Sequence, residues 1–418
     1  MADQSPVATY LADPASVGRV LLLYSGGLDT SVMLKWIQEQ YGAPVVALTV
    51  DLGQPGEDYE VVKGKALQLG ALEAHVVDAR EEFVHEYVLR AIKANAIYGQ
   101  GYPLFTALGR PLIAKVAVAY ARRLGCDTIA HGCTGKGNDQ VRIEATIATL
   151  APELKVIAPV RSGLMGREEE IAYARERGIM VKGGTESVPY SIDDNLWGRS
   201  SEGRWIEELD HAPEEDVFQL VTPPERAPDE PEVVEVEFER GVPVALGGER
   251  LGLVELLERA TAIGARHGVG IVDHIEDRIV GLKVRDIYEV PAAAVVLLAH
   301  RELERLVGTI HQNQLKPTLD QRWAYLVYAG LWWEPLRVDL DAYMESVNER
   351  VTGTIGVKLY KGSARVVTRQ SPNAVYDAQL ATFSESGGLF SQDASPGFIE
   401  LWSLQSRMAW RVRHGDSG

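Results

Sequence analysis

Past a polar start, the chain carries an apolar run from Val20 to Tyr24 that predicts a buried strand. Ser25, Gly26 and Gly27 follow as a tight turn. Asp29, Thr30 and Ser31 are residues that start helices, and Val32, Trp36 and Ile37 come after them at helical spacing. The alternation continues. Val45 to Val50, ending at Asp51, predicts a second strand, and Ala74 to Val77, Thr128 to Ala130 and Lys155 to Ala158 predict three more. Asp58 to Leu69, Arg80 to Ala94, Leu112 to Leu124, Gln140 to Leu150 and Glu168 to Arg177 have helical periods, the last closed by Gly178. Strands and helices in this order predict an α/β unit with a doubly wound parallel sheet. Ligands of such sheets sit outside the carboxyl ends of the strands.

The pattern changes after a stretch of prolines and acids between about Pro213 and Pro231, which reads as a linker or long surface connection. Val233 to Phe238 alternates as a half-buried strand and Val242 to Leu246 pairs with it. Helices are predicted over Leu251 to His267, Ala292 to Leu306, Trp323 to Trp332 and Val338 to Arg350. A hairpin is predicted from Gly353 to Tyr360 and Ala364 to Thr368 around Lys361 and Gly362. This half is α+β. A last helix, Phe398 to Val412, has an apolar stripe that either docks on another subunit or packs on its own domain.

Composition narrows the function classes. A chain of 418 residues should hold two or three domains, and 46% hydrophobic residues suffice for a sizeable core. Basic side chains number 42 against 59 acidic ones, a net charge of −17, which weighs against nucleic acid as a partner. Cys126 and Cys133 form no C-x-x-C motif, which suits a reducing, cytoplasmic location. No apolar run reaches the ~18 residues of a membrane span. Residues 1–18 lack the basic start and apolar centre of a signal peptide and read as a mobile N-terminal extension.

Two glycine-rich loops carry the candidate chemistry. In S-G-G-L-D-T-S, at 25–31, a strand, a glycine turn and a helix start build an anion site. Glycines let backbone N–H groups approach a phosphate, the helix dipole points at it, and Ser25, Thr30 and Ser31 add hydroxyls. The spacing is neither the G-x-x-x-x-G-K-[ST] of ATPases nor the dinucleotide G-x-G-x-x-G. It resembles the pyrophosphate loop of enzymes that cleave ATP to AMP and pyrophosphate. The second loop, A-H-G-C-T-G-K-G-N-D-Q-V-R-I-E at 130–144, places Thr134, Asn138, Asp139 and Arg142 around a helix start. Arg grips carboxylates and Asp grips an ammonium, the pairing a zwitterionic amino acid needs.

Together with P-Y-S-I-D-D-N-L-W-G-R-S at 189–200, these loops resemble the argininosuccinate synthase family over residues 18–413. Asp51 to Gln54, R-P-L-I-A-K at 110–115 and D-Q-R-W-A-Y-L-V-Y at 320–328 match as well. The family belongs to the N-type ATP pyrophosphatases. The resemblance implies an ATP-dependent ligase of arginine biosynthesis. It condenses L-citrulline and L-aspartate to argininosuccinate through a citrullyl-adenylate, releasing AMP and pyrophosphate. It implies a nucleotide-binding domain over 19–183, a synthetase domain over 184–395, an oligomerisation helix and tail over 396–418, and a homotetramer. ATP would lie on Leu23, Tyr24, Ser25, Gly26, Gly27, Leu28, Asp29, Thr30, Ser31, Val50 and Gly132. Citrulline would meet Tyr102, Asn138, Arg142, Ser191, Ser200, Glu276 and Tyr288, and aspartate Thr106, Thr134, Asn138 and Asp139. A neutral ureido group needs several placed hydrogen bonds, which Ser, Tyr and Glu supply. Without the motif, Ser191, Ser200 and Tyr288 read as cap or core residues and Glu276 as a helix-surface acid. No residue is assigned as acid or base. Asp29, Asn138 and Arg142 position, and Mg²⁺ is expected on the ATP phosphates with no protein cage.

The sequence departs from the family pattern at Leu23, commonly alanine, and at Phe105 and Ala107, which replace a glycine and a hydroxyl near the aspartate side. Ala292 and Ala293 stand where two glycines are often seen. A glutamine-fed amidotransferase would need a nucleophilic cysteine with its own domain, and a tRNA thiolase sulfur-handling cysteines and a basic surface. A nucleotide sensor without catalysis fits poorly with the retained Ser25, Gly26, Gly27, Asp29, Asn138, Asp139 and Arg142.

Overall fold

The structure, a computed structural model, describes residues 16–161, 167–179, 190–381 and 390–415. The predicted extension therefore lies mostly outside the described residues, as does the expected domain boundary at 183–184. The first sheet comprises β1 (Val20–Leu23), β2 (Val45–Asp51), β3 (Glu73–Asp78), β4 (Thr128–Ala130) and β5 (Lys155–Ile157), all parallel in the order β3-β2-β1-β4-β5. Leu21 of β1 packs in one core with Phe83, Leu108 and Leu112, while Val20 and Leu22 pack in another with Met33, Leu34 and Ile37. A strand covered on both faces is apolar at every position, so its pattern is continuous rather than alternating. The strand order reverses between β1 and β4. The loops after these strands, 24–27 and 131–138, therefore open on the crevice where doubly wound sheets bind ligands.

The remaining strands are β6 (Ser191–Asn195), β7 (Gly198–Glu202), β8 (Glu232–Glu239), β9 (Val242–Leu246), β10 (Glu249–Arg250), β11 (Ile271–Asp277), β12 (Lys283–Glu289), β13 (Gly353–Tyr360) and β14 (Ser363–Gln370). They form two antiparallel sheets, β10-β9-β8-β13-β14 and β11-β12-β7-β6. The helices Leu253–Arg266 and Pro291–Val307 cover the first of these. One hydrophobic core runs from Leu21 and Val46 of the parallel sheet to Val236 and Leu359 of the antiparallel one. The chain divides into two compact units, Met1–Asn373 and Ala374–Gly418.

Several elements differ from the sequence pattern. The helix predicted from Leu112 begins at Phe105 and runs to Leu124 with Pro111 inside it. The helix predicted from Trp323 to Trp332 is Ile310–Tyr328, with Pro317 inside it. Its first half is polar, so periodicity does not reveal it. β6, β7, β11 and β12 were not anticipated, and Glu276 lies on β11 rather than on a helix. The connection at 213–231 is the long surface connection of the two alternatives, pinned at a few positions. Val217, Val221 and Ala227 are buried, and the Glu289 carboxylate accepts N–H bonds from Gln219, Leu220 and Val221 at 3.2, 2.8 and 2.6 Å. The C-terminal stretch is two helices, Ala394–Trp402 and Leu404–His414, meeting at Ser403.

A buried polar network ties the turn at Asn95 to the helices Pro291–Val307 and Ile310–Tyr328. Lys316, 1% exposed, places Nζ 2.7 Å from Asp320 Oδ1, 2.8 Å from Glu304 Oε2 and 3.1 Å from the Lys93 carbonyl. The Asn95 amide donates to Glu304 Oε1 at 3.2 Å. A buried ion cluster is costly to break one-sidedly. Lys316→Met should lower unfolding stability by about 3–5 kcal/mol, seen as a lower urea midpoint at unchanged slope. A midpoint equal to the parent's would show that the cluster contributes nothing to stability.

Candidate active site

The first loop is held rigid by its own hydroxyls. Gly26 has φ +78°, and a Cβ there would meet Val62 at 3.1 Å, so only glycine fits. Lys65 Nζ donates to the Gly26 carbonyl at 2.6 Å. Gly27 caps the helix Leu28–Tyr41 with extended backbone, and its missing Cβ would meet only Ser25 Oγ at 3.4 Å. The space above Gly27 is therefore open. Ser25 Oγ lies 3.1 Å from Thr30 Oγ1 and accepts from the Gly27 N–H at 3.3 Å. Ser31, expected to add a hydroxyl donor to the anion site, turns it to the backbone instead. It is fully buried and donates to the Gly27 carbonyl at 2.6 Å, with Tyr24 Oη 3.1 Å away. Tyr24 and Leu28 are buried beneath the loop, Leu23 is half-buried, and Asp29 is exposed on the first helical turn. Val50 is buried near the end of the neighbouring β2.

The second loop lies beside the helix that follows the first. A Cβ on Gly132 would lie 3.3 Å from Met33 Cε and 3.9 Å from Thr30 Cγ2. Gln140 Nε2 holds the loop by donating to the carbonyls of Gly135 and Gly137 at 2.8 and 3.1 Å. Thr134 is exposed at its tip. Asn138, where the helix Asp139–Leu150 begins, is buried and reaches across to the second half of the chain. It donates to Tyr328 Oη at 2.8 Å and Glu276 Oε1 at 3.2 Å, and accepts the Ile279 N–H at 3.1 Å.

Strand register gathers the rest. Ser200 lies opposite both Tyr288 and Asp193, Ser191 opposite Glu202, and Glu276 opposite Val284. With a period of two, Ser191, Asp193, Ser200, Glu202, Glu276, Asp286 and Tyr288 share one face of the β11-β12-β7-β6 sheet. A polar strand face is what a ligand site demands and what hides a strand from periodicity. Tyr288 Oη donates to Glu276 Oε2 at 2.5 Å, and Tyr328 Oη donates to Glu276 Oε1 at 2.7 Å. Burial, then the charge of Glu202, pushes the Asp286 carboxyl up to about 7 against the pull of Arg278. Tyr102 caps the Phe105–Leu124 helix: its hydroxyl accepts the N–H groups of Thr106 and Ala107 at 3.1 and 3.0 Å and bonds Thr106 Oγ1. Burial pushes that hydroxyl up to about 12.

Arg142 is the centre of the arrangement. It is 3% exposed. Nε donates to the Tyr328 carbonyl at 3.0 Å, and Nη1 to Asp139 Oδ1 at 2.9 Å and Thr106 Oγ1 at 3.4 Å. Nη2 is buried with no partner among the described residues. A buried donor left unpaired is costly and marks a place for an acceptor. Gly330, at φ +77°, is required here because a Cβ would come within 3.0 Å of the Arg142 backbone. Asp139 also accepts from Arg110 Nε at 2.8 Å. Burial works to raise the Asp139 carboxyl, and the charges of Arg110 and Arg142 outweigh it, holding it below the usual carboxylate value.

The structure thus brings together Tyr102, Thr106, Asn138, Asp139, Arg142, Glu276 and Tyr288. Ser191 and Ser200 join them through sheet register, and Thr134 stands at the loop tip. Phe105 is buried edge-on to Tyr102 and Tyr288, with ring centroids 5.2 and 5.6 Å away. Ala107 is buried, as are Ala292 and Ala293 at the start of Pro291–Val307. Sequence reasoning gave no role to Arg110, Asp193 or Tyr328, although each lies in a run already singled out. Arg278, which donates to the Lys136 carbonyl at 3.3 Å and to Glu202 Oε2 at 2.5 Å, carried no sequence signal.

Comparisons with known proteins identify the family. A family model described as the arginosuccinate synthase N-terminal HUP domain matches residues 19–180, and one described as the arginosuccinate synthase C-terminal domain matches 190–409. Curated relatives called argininosuccinate synthase include that of Rubrobacter xylanophilus, 57% identical over 389 residues, 93% of this chain and 94% of the relative. That of Streptococcus suis is 49% identical over 390 residues, 93% of this chain and 97% of the relative. That of Pyrococcus furiosus is 48% identical over 397 residues, 95% of each.

The loop geometry separates two substitutions. Gly27→Val fills open space above the loop, so it should fold normally and lose ATP binding by calorimetry. Gly26→Ala meets Val62 and a forbidden φ, so it should cost stability, about 1 kcal/mol or more. Parent-like ATP affinity in folded Gly27→Val would remove this loop from the nucleotide site.

Proposed function

The chain belongs to the argininosuccinate synthase family, and from that premise we infer how its pocket joins citrulline to aspartate at the expense of ATP. The enzyme is an ATP-dependent ligase of arginine biosynthesis. The observation that carries the site reading is the buried, unpartnered Arg142 Nη2, whose guanidinium is linked by its Nε to Tyr328 and, through the Tyr328 hydroxyl, to the carboxylate of Glu276. A cation and an anion held this way fit the carboxylate and ammonium of one amino acid, and we place the citrulline head group there. Tyr102, Ser191, Ser200 and Tyr288 line the same subsite. ATP is placed on the 23–31 loop with Val50 and Gly132, and aspartate at Thr106, Thr134, Asn138 and Asp139.

The ureido oxygen of citrulline attacks the α-phosphorus of ATP. An O–P bond forms, pyrophosphate leaves, and citrullyl-adenylate results. The aspartate amine then attacks the ureido carbon; a C–N bond forms, the C–O bond breaks, and AMP leaves with that oxygen. Positioning and charge stabilisation supply the rate, by backbone N–H groups at Gly26 and Gly27 and by the fixed dipoles of the second loop. Mg²⁺, where bound, would be held by the ATP phosphates and would offset their charge. Among the described residues no group of three His, Cys, Asp or Glu side chains is placed to hold a metal.

We place the enzyme in the cytoplasm as a homotetramer, and the net charge of −17 weighs against nucleic acid partners. No helix among the described residues is long and apolar enough to cross a membrane. Phe398, Ile399, Leu401, Trp402, Trp410 and Val412 are exposed on the C-terminal helices, which supports burial between subunits. Truncation before Pro396 should lower the mass seen by light scattering, and an unchanged mass would take assembly away from these helices.

The amino-acid subsites are tested by separating the half-reactions. Asp139→Asn removes a charge at constant size and should weaken aspartate by roughly 1.5–3 kcal/mol, about tenfold or more. It should keep citrulline-dependent exchange of labelled pyrophosphate into ATP without aspartate. Arg142→Lys loses the guanidinium fork and should lose both exchange and product at ordinary citrulline concentrations. The opposite pattern would exchange the two subsites. A folded parent protein releasing no pyrophosphate with citrulline and aspartate would refute the activity.

A further inference from the structure

The groups placed around aspartate are two threonines, an asparagine and a carboxylate. The substrate brings one ammonium and two carboxylates. Asp139 matches the ammonium, but none of the four is a cation, and a net anion beside Asp139 without one is repelled. The free nitrogen of Arg142 is taken by citrulline. The other guanidinium bonded to Asp139 is Arg110. Its Nε donates to Asp139 Oδ2 at 2.8 Å, its Nη2 lies 2.8 Å from the same oxygen and also bonds Asp193 Oδ2, and its Nη1 has no hydrogen-bond partner among the described residues. Its side chain is 18% exposed, in reach of a ligand in the crevice. Asp193, Arg110, Asp139 and Arg142 alternate in sign and cancel. Any ammonium that binds Asp139 must compete with Arg110 for it.

We propose that Arg110 is the cation of the aspartate subsite and determines its selectivity for a dicarboxylate. The substrate ammonium takes the Asp139 oxygen that Arg110 holds, and Arg110, still anchored by Asp193, turns the freed edge of its guanidinium to a substrate carboxylate. One ion pair breaks and two form, with no change in the charge of the protein. Asparagine in place of aspartate, if held by its side-chain end, offers an amide to a guanidinium that has just lost its partner. A site built this way rejects the neutral analogue because its own charge is stranded. The proposal rests on Asp139 lying in the aspartate subsite.

The test uses full-length Arg110→Gln and Arg110→Lys. Three quantities are read: KM for aspartate, Ki for asparagine as a competitor of aspartate, and citrulline-dependent pyrophosphate exchange without aspartate. Arg110→Gln should raise the aspartate KM about tenfold or more and narrow the preference for aspartate over asparagine by a similar factor. Exchange should stay near the parent rate. Arg110→Lys keeps the charge and loses the fork, so it should fall between parent and Gln in both aspartate readouts. If Arg110→Gln does not fold, the narrowing in Arg110→Lys decides. An unchanged KM, or a preference retained while exchange falls, would assign Arg110 to structure alone and overturn the proposal. Asp139→Asn keeps the two readings apart. If it leaves the aspartate KM unchanged, the subsite is misplaced; if it weakens aspartate while Arg110→Gln does not, only the role of Arg110 fails.

Discussion

A guanidinium buried to 3% exposure must be compensated, and much of the active site is arranged to compensate Arg142. The Tyr328 carbonyl is free to accept its Nε because the helix Ile310–Tyr328 ends there, and Gly330 lets the chain turn away without striking the Arg142 backbone. Asp139, three residues earlier on the same helix, takes Nη1, and Arg110 takes the far oxygen of Asp139. One nitrogen is left over. A fold that satisfies every other donor of this group and leaves one buried is poised for an anionic ligand, because the ligand restores what burial removed.

That compensation crosses the chain from end to end, so both halves must hold fixed positions. The shared core from Leu21 to Leu359 gives the rigidity, and the cluster of Lys316, Glu304, Asp320 and Asn95 pins the turn that leads to Tyr102. Asn138 is the joint between the second glycine loop and the polar face of the β11-β12-β7-β6 sheet. It stands at the end of the loop that touches Thr30, and its amide bonds Glu276 and Tyr328. A shift in one half would be felt at the other through this side chain.

The parts legible in the sequence share a physical reason. β1 and β2 are covered on both faces, so nearly every position is apolar, and the two loops declare themselves through glycines that backbone approach requires. The β11-β12-β7-β6 sheet was illegible because its site face carries Ser200, Glu276, Asp286 and Tyr288 where a core-facing strand would carry apolar residues. Glu276 looked like a helix-surface acid for the same reason. Phe105–Leu124 was read short because Pro111 sits inside it and Leu104 enters it at φ +69°. Arg110 stood in a run already noted, but its meaning lies in Asp193 and Asp139, which only the fold brings together.

The departures from the family pattern show how the pocket tolerates change. Phe105 fills space between Tyr102, Tyr288 and Gly198, where a Cβ on Gly198 would lie 3.0 Å from its ring. It therefore stiffens the wall that carries Tyr102 and Tyr288. Ala107 lacks a hydroxyl, but its N–H still meets the Tyr102 hydroxyl, so the helix cap is kept and only a side-chain bond is missing. Both changes act on the surroundings of Tyr102 and leave the 24–27 loop alone. That division is what a reaction driven by positioning allows. The charged groups Arg110, Asp139 and Arg142 are locked to one another rather than poised to exchange protons. The chemistry then depends on where the substrates are held, and packing changes of this kind tune affinity without disturbing the bond-making steps.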